Sequence, residues 1–209
     1  MTDALFEDAL EDEADVNHPM AEIFQLMLSF GWEPDHAVQV RKLALTLFDQ
    51  LKDLHRLGDR ERRILEAAAL LHDIGFSVSE TKHHKHSYRL IRAQKLPGFT
   101  ADEVELIANV ARYHRKAHPK KKHANLSQLS RKERVVISEL SGILRLADGM
   151  DRSHLSSVKE LQCRMEDDQL FVEVRGNLEV GLDIMAGNRK RDLFEQIYGV
   201  KVVVKWAGS

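Results

Sequence analysis

The chain of 209 residues is 43% hydrophobic and 31% charged with a formal net charge of −2, proportions of one ordinary globular unit, alone or with a small appendage. No apolar run approaches the ~20 residues that cross a bilayer, and the amino terminus is acidic where a targeting peptide would be basic. The single cysteine, Cys163, rules out an internal disulfide, so a cytoplasmic protein outside the membrane is expected.

Residues 1–16 hold seven acids and no Lys or Arg, which leaves the rest of the chain formally positive. Residues 1–17 read as an acidic tail, either disordered or a frayed helix, with a docking arm as the functional alternative. From 18 to 154 the apolar period is helical. "HAVQVRKLALTLFDQLKDL" aligns Val40, Leu43, Leu47, Leu51 and Leu54 on one face, and His36 lies four residues before Val40 on the same stripe. "GDRERRILEAAALLHDIG" starts at an Asp59 cap and stops at Gly75, and its stripe of Ile64, Ala68 and Leu71 carries His72 inward. A third helix opens on the capping box Thr100 to Glu103, with Ile107, Val110 and His114 sharing a face. In the fourth, Val136, Leu140, Leu144 and Asp148 follow at intervals of four, so an aspartate takes a core position.

After residue 155 the pattern changes. "LQCRM" and "LFVEV" alternate around an acidic turn at 166–168, a hairpin signal that makes Cys163 a core residue rather than a nucleophile. "NRKRDLFEQIYG" reads as one helix stopped by Gly199, and "VKVVVKW" as a closing strand. The expected fold is therefore mainly α, a helical domain over 18–154 followed by a small α+β unit over 155–209 in the order strand, strand, helix, strand.

Four helical faces thus offer His36, His72 with Asp73, His114 and Asp148 where apolar residues were due. A lone inward histidine is ordinarily a hydrogen-bonded core residue, and a lone inward aspartate a cap. Together they differ, because a buried carboxylate costs several kcal/mol unless it is paired or metal-bound. A divalent ion bound by neutral imidazoles and carboxylates would satisfy the set. Histidine and carboxylate ligands suit Mn, Fe, Mg, Co or Zn, and the lack of thiolates argues against a closed structural zinc site. "RYHRKAHPKKKH", residues 112–123, carries six Lys or Arg and no acid. It is either a solvated loop or a basic rim for a phosphorylated substrate. Its lack of interleaved aromatics, with the acidic balance of the whole chain, speaks against nucleic-acid binding.

The order His36, His72-Asp73, Asp148 resembles the HD superfamily of metal-dependent phosphohydrolases. "LLHDIG", "HHKHSYRLI", "LPGFT", "ANVARYHRKAHP" and "LRLADGMDRSH" are similar to the carboxyl-terminal half of the exopolyphosphatase and guanosine pentaphosphate phosphatase family, Ppx/GppA, over about residues 18–206. That resemblance implies an HD-domain helical bundle and a homodimer. It also implies a first metal on His36, His72, Asp73 and Asp148, with Asp73 bridging to a second metal completed by His114 and by His83, four residues before a small residue, Ser87, that opens the next helix. His84 can substitute for His83, and His86 is spare. The family's phosphatase chemistry is assigned to a pair of actin-like domains whose glycine loops these residues do not contain, so exopolyphosphatase activity is not implied for them. What is implied is hydrolysis of a nucleotide or other small phosphorylated molecule by a metal-activated water that Asp73 orients, with Arg112, Arg115, Lys116, Arg145 and Arg152 holding phosphate. The alternative is a non-catalytic module that senses a nucleotide such as a guanosine tetraphosphate alarmone, or serves dimerisation.

Overall fold

The computed structural model describes residues 19–176 and 180–207; the acidic segment 1–17 lies outside them. The fold is mainly α with a small three-stranded sheet. Helix α1 (Pro19–Ser29) precedes α2 (Pro34–Gln50), which buries Val40, Leu43 and Leu47 as its period requires and continues into the single turn α3 (Lys52–His55). Helix α4 (Asp59–Leu71) is capped by Gly58 rather than Asp59. Asp59 instead takes the first helical position, where a carboxylate favours the positive end of the helix dipole.

Helix α4 also ends at Leu71, before the expected Gly75, and the chain passes through a 3-10 turn, Ile74–Ser77. The reason is a close approach. A Cβ on Gly75 would meet His83 O at 2.2 Å and Ser87 N at 2.5 Å, and the Gly75 N–H donates to Ser87 Oγ at 2.9 Å. Helix α5 (His83–Arg92) is thereby pinned by its first turn against the end of α4. Its first residue is His83, and Ser87 lies one turn inside it rather than opening it.

Helix α6 (Ala101–Arg112) begins at the expected box: Thr100 N–H donates to Glu103 Oε2 at 2.9 Å, and Glu103 N–H to Thr100 Oγ1 at 3.3 Å. Ser130 and Glu133 repeat that arrangement for α7 (Arg131–Gly149), whose carboxyl-terminal half is buried against α2, α4 and α6. Among the described residues no helix is long and apolar enough to cross a membrane.

Strands β1 (Val158–Glu166) and β2 (Gln169–Gly176) form the expected hairpin, with Glu166 paired to Gln169. Strand β3 (Lys201–Trp206) pairs parallel to β2. A parallel return needs a crossover, and here it consists of two helices rather than the one expected: α8 (Gly181–Lys190) and α9 (Asp192–Tyr198). The break falls at Arg191, where Asp192 Oδ1 takes the Leu193 N–H at 2.9 Å. Gly199 stops α9 at φ 69°, the left-handed position that favours glycine.

Side chains from neighbouring helices cover both sheet edges. Gln50 engages Leu161 O and Cys163 N of β1; Asn188 engages Val204 N and O of β3, while Glu195 and Arg191 take Val202 N and O. Backbone groups engaged in this way are not free to pair with another strand. Helix α8 lies so close on α7 that a Cβ on Gly149 would stand 3.0 Å from Gly187 Cα. That crossing brings the end of α8 to the end of α7.

Candidate metal centre

Four buried imidazoles converge on Asp73, and each has its Nδ1 already committed. His36 Nδ1 bonds Asp151 Oδ2 at 2.7 Å; His72 Nδ1 bonds Ala69 O at 2.7 Å; His83 Nδ1 bonds Glu80 O at 3.2 Å; His114 Nδ1 bonds Ala111 O at 2.6 Å. A carbonyl oxygen only accepts, so in the last three Nδ1 carries the hydrogen and the neutral ring presents a bare Nε2. A second partner fixing the tautomer in this way is the usual companion of a metal-ligating histidine.

The Nε2 atoms face the two oxygens of one carboxylate. Asp73 Oδ1 stands 3.3 Å from His83 Nε2 and 3.5 Å from His114 Nε2, while Oδ2 stands 3.5 Å from His72 Nε2 and 3.9 Å from His36 Nε2. These residues form two groups that can hold a metal ion, His36-His72-Asp73 and Asp73-His83-His114. The contacts are poor as hydrogen bonds. His83 and His114 meet Nε2 to Nε2 at 3.4 Å, which on the tautomers above opposes two lone pairs. His36 Nε2, His72 Nε2 and Asp73 Oδ1 are buried without a hydrogen-bond partner. His72 Nε2 and Asp73 Oδ1 are acceptors on this reading, and a buried acceptor without a donor is costly unless a cation lies beside it. The residues therefore fit a divalent ion.

The electrostatics agree. Burial lowers the pKa of His83 and takes that of His114 well below the ordinary value, so both rings are neutral at pH 7. Burial would raise Asp73, but the surrounding imidazoles, His72 first, outweigh it and hold the carboxyl below its ordinary range. At His36 burial lowers the pKa, yet Asp148, Asp151 and Asp73 overcome it and push it up to about 10. The negative field that favours a proton on His36 favours a metal cation there as well.

Asp148 joins at one remove: its Oδ1 is 3.6 Å from His36 Nε2 and its Oδ2 is paired with Lys190. His84 turns away, its ring centroid 6.1 Å from that of His83 and 6.4 Å from that of His114, so His83 is the one that reaches the cluster. His86 is half-buried outside it. Arg115, Lys116, Arg145 and Arg152 line the same cavity of about 400 Å³ as Asp73 and Asp148. Arg145 is largely spent there, donating to Tyr113 O, Lys116 O and Asp192 Oδ1. Arg112 does not line this cavity; it lies over the rings of Tyr88 and Tyr113 at 5.2 and 5.8 Å and lines a neighbouring one.

Three participants escape a sequence reading. Asp151, which orients His36, sits three residues after Asp148, and that i, i+3 spacing was its only signal. His154 stacks on His36 at 3.9 Å. Lys190 comes from the carboxyl-terminal unit, and nothing local points to it. Phe76, stacked between Trp32 at 4.3 Å and His83 at 3.8 Å, walls the site.

Comparison with known proteins adds a family. A model of the Ppx/GppA phosphatase, domain III, matches residues 20–183. The chain belongs to the Ppx/GppA domain III family. Within the Ppx/GppA proteins, the guanosine-5'-triphosphate,3'-diphosphate pyrophosphatase of Aeromonas salmonicida (strain A449) is 36% identical over 84 residues, which cover 40% of this chain and 17% of that relative. The match thus spans about a sixth of the relative's length.

Proposed function

We propose that this Ppx/GppA-related chain is a metal-dependent phosphohydrolase with an HD-type centre, acting on a nucleotide or another small phosphorylated molecule. The observation that supports it is the convergence of four Nε2 atoms, each backed by an oriented Nδ1, on the two faces of Asp73. His36, His72, Asp73 and Asp148 would hold one ion; Asp73, His83 and His114 would hold a second. When bound, such ions supply Lewis acidity toward water and phosphate oxygens.

The chain's own residues do the rest. Ionised Asp73 keeps the two ligand groups in register and orients water at the phosphorus. Arg115, Lys116 and Arg152 give the cavity the positive charge a phosphate needs, and Arg145 braces the 113–116 segment that carries two of them. Phe76 and Trp32 limit water on one side. The relative's name supports a nucleotide as the substrate class.

The test is elemental analysis of the purified protein beside His72→Ala and Asp73→Ala, with phosphate release measured over a panel of nucleotides and polyphosphate in added manganese. The expected result is one or two metals per chain, all lost in Asp73→Ala and one lost in His72→Ala, with turnover lost in both. Unchanged metal content and hydrolysis in both variants would sink the proposal.

A further inference from the structure

Beside the cluster lies a second cavity, of about 520 Å³, between the start of α5 and the 112–125 segment. Five cations line it, Lys82, Lys85, Arg112, Arg115 and Lys116, and no carboxylate does. None of the five makes an ion pair among the described residues, whereas Arg41, Arg60, Arg62 and Arg92 elsewhere on the helices are all paired. Like charges gathered around one concavity repel unless an anion joins them. The guanidinium of Arg112 is fixed over Tyr88 and Tyr113, so it is preorganised rather than trailing in solvent. His84 adds a polar wall: it is 8% exposed, and its Nδ1 is buried without a partner.

Arg115 belongs to both cavities. Its Nη1 lies 3.0 Å from His83 Nε2 and 3.3 Å from His83 Nδ1. A guanidinium at that spot competes with a metal for the lone pair that the Asp73-His83-His114 group would use. An anion in the basic cavity offers Arg115 a stronger partner on its other side.

We propose that the basic cavity is an oxyanion site for a phosphate-class group, and that its occupation tightens metal binding at Asp73-His83-His114 by drawing Arg115 off His83. The inference rests on the metal reading above. By linkage the coupling is reciprocal, so metal at this group also tightens the anion.

Manganese binding is to be counted by equilibrium dialysis of the intact protein in sodium chloride and in sodium sulfate of equal ionic strength. We expect one ion to bind in both media and a second to bind at least about fivefold tighter in sulfate, the lower end of ordinary coupling. Arg115→Met binds the second ion as tightly in chloride as the wild type does in sulfate, and no longer responds to sulfate. Lys85→Gln combined with Arg112→Gln, checked for cooperative melting, loses the sulfate response. Adenosine 5'-monophosphate in place of sulfate separates the two sources of the group: a free oxyanion acts as sulfate alone, whereas a group carried on a larger molecule acts only as the nucleotide.

Two ions bound with the same affinity in all three media overturn the inference and leave the metal reading standing, as does a sulfate response that survives in Arg115→Met. No manganese in any medium overturns both.

Discussion

Two buried histidine environments in this molecule look alike until their nitrogens are followed. His55, at the end of α3, is 6% exposed and packs its ring on Phe48 at 4.2 Å. Its Nε2–H donates to Phe48 O at 2.7 Å and its Nδ1 accepts from Leu57 N at 2.9 Å, so both nitrogens are satisfied by backbone. At the other site His36, His72, His83 and His114 are equally buried, but each has one nitrogen satisfied and the other aimed at Asp73. Burial of an imidazole therefore says nothing about ligation. A second nitrogen left by the backbone and turned toward a shared carboxylate is what makes these four candidate ligands.

The largest test of that distinction is Asp73→Ala. Because one carboxylate serves both ligand groups, its removal should abolish binding of every ion, whereas His72→Ala and His114→Ala should each cost one; dialysis against manganese counts them. Next comes Asp151→Ala. Asp151 touches no ion, and it orients His36 through Nδ1, so metal affinity should fall ten- to a hundredfold, the usual effect of losing such a support. An unchanged affinity would mean that the hydrogen bond is only packing. His55→Ala inverts the pattern. It leaves Leu57 N unpaired and takes one of two donors from Phe48 O, which should cost on the order of 1–3 kcal/mol in chemical unfolding, with metal content the same as in the parent.

Acidity separates the two sites as well. The His36 pKa is raised from the ordinary 6.5 to about 10, so the folded, metal-free protein holds a proton that the unfolded chain gives up sooner. Its contribution to stability is then complete below about pH 6.5 and is lost as pH rises through about 10. Chelator-treated protein should melt at progressively lower temperature across that window. Manganese replaces the proton, so the loaded protein should not decline with it, and manganese affinity should climb over the same range. His55 gives the opposite sign: burial lowers its pKa, so protonation in acid opposes folding.

Much of this was legible from residue order. The helical period put His36, His72 and Asp148 inside because each falls on the stripe of its own helix, and the change of period after residue 155 marked the sheet. The capping box at Thr100 followed from two side chains three residues apart. Long-range geometry was not legible. Which of His83 and His84 faces Asp73 depends on the approach of α5 at Gly75, and the separation of Arg112 from the cluster depends on two tyrosines. Asp59 as a cap and Ser87 as a helix start failed because a glycine at 58 and a close contact at 75 overrode local preference.

The smallest expected effect concerns the residue least visible in the sequence. Lys190 reaches Asp148 from α8 because Gly149 and Gly187 let the two helices touch. It neutralises the oxygen of Asp148 that faces away from His36, leaving Oδ1 toward the cluster. An ammonium there stabilises the buried carboxylate, and it also repels a divalent ion nearby. Lys190→Met should then tighten manganese at His36-His72-Asp73 by severalfold, roughly 1 kcal/mol for a partly solvated charge at this range, while making the metal-free protein less stable because Asp148 loses its partner. Those opposite signs in one variant tie the carboxyl-terminal unit to the metal site. A variant that lost stability and affinity together would mean that Lys190 only fastens α8 to α7.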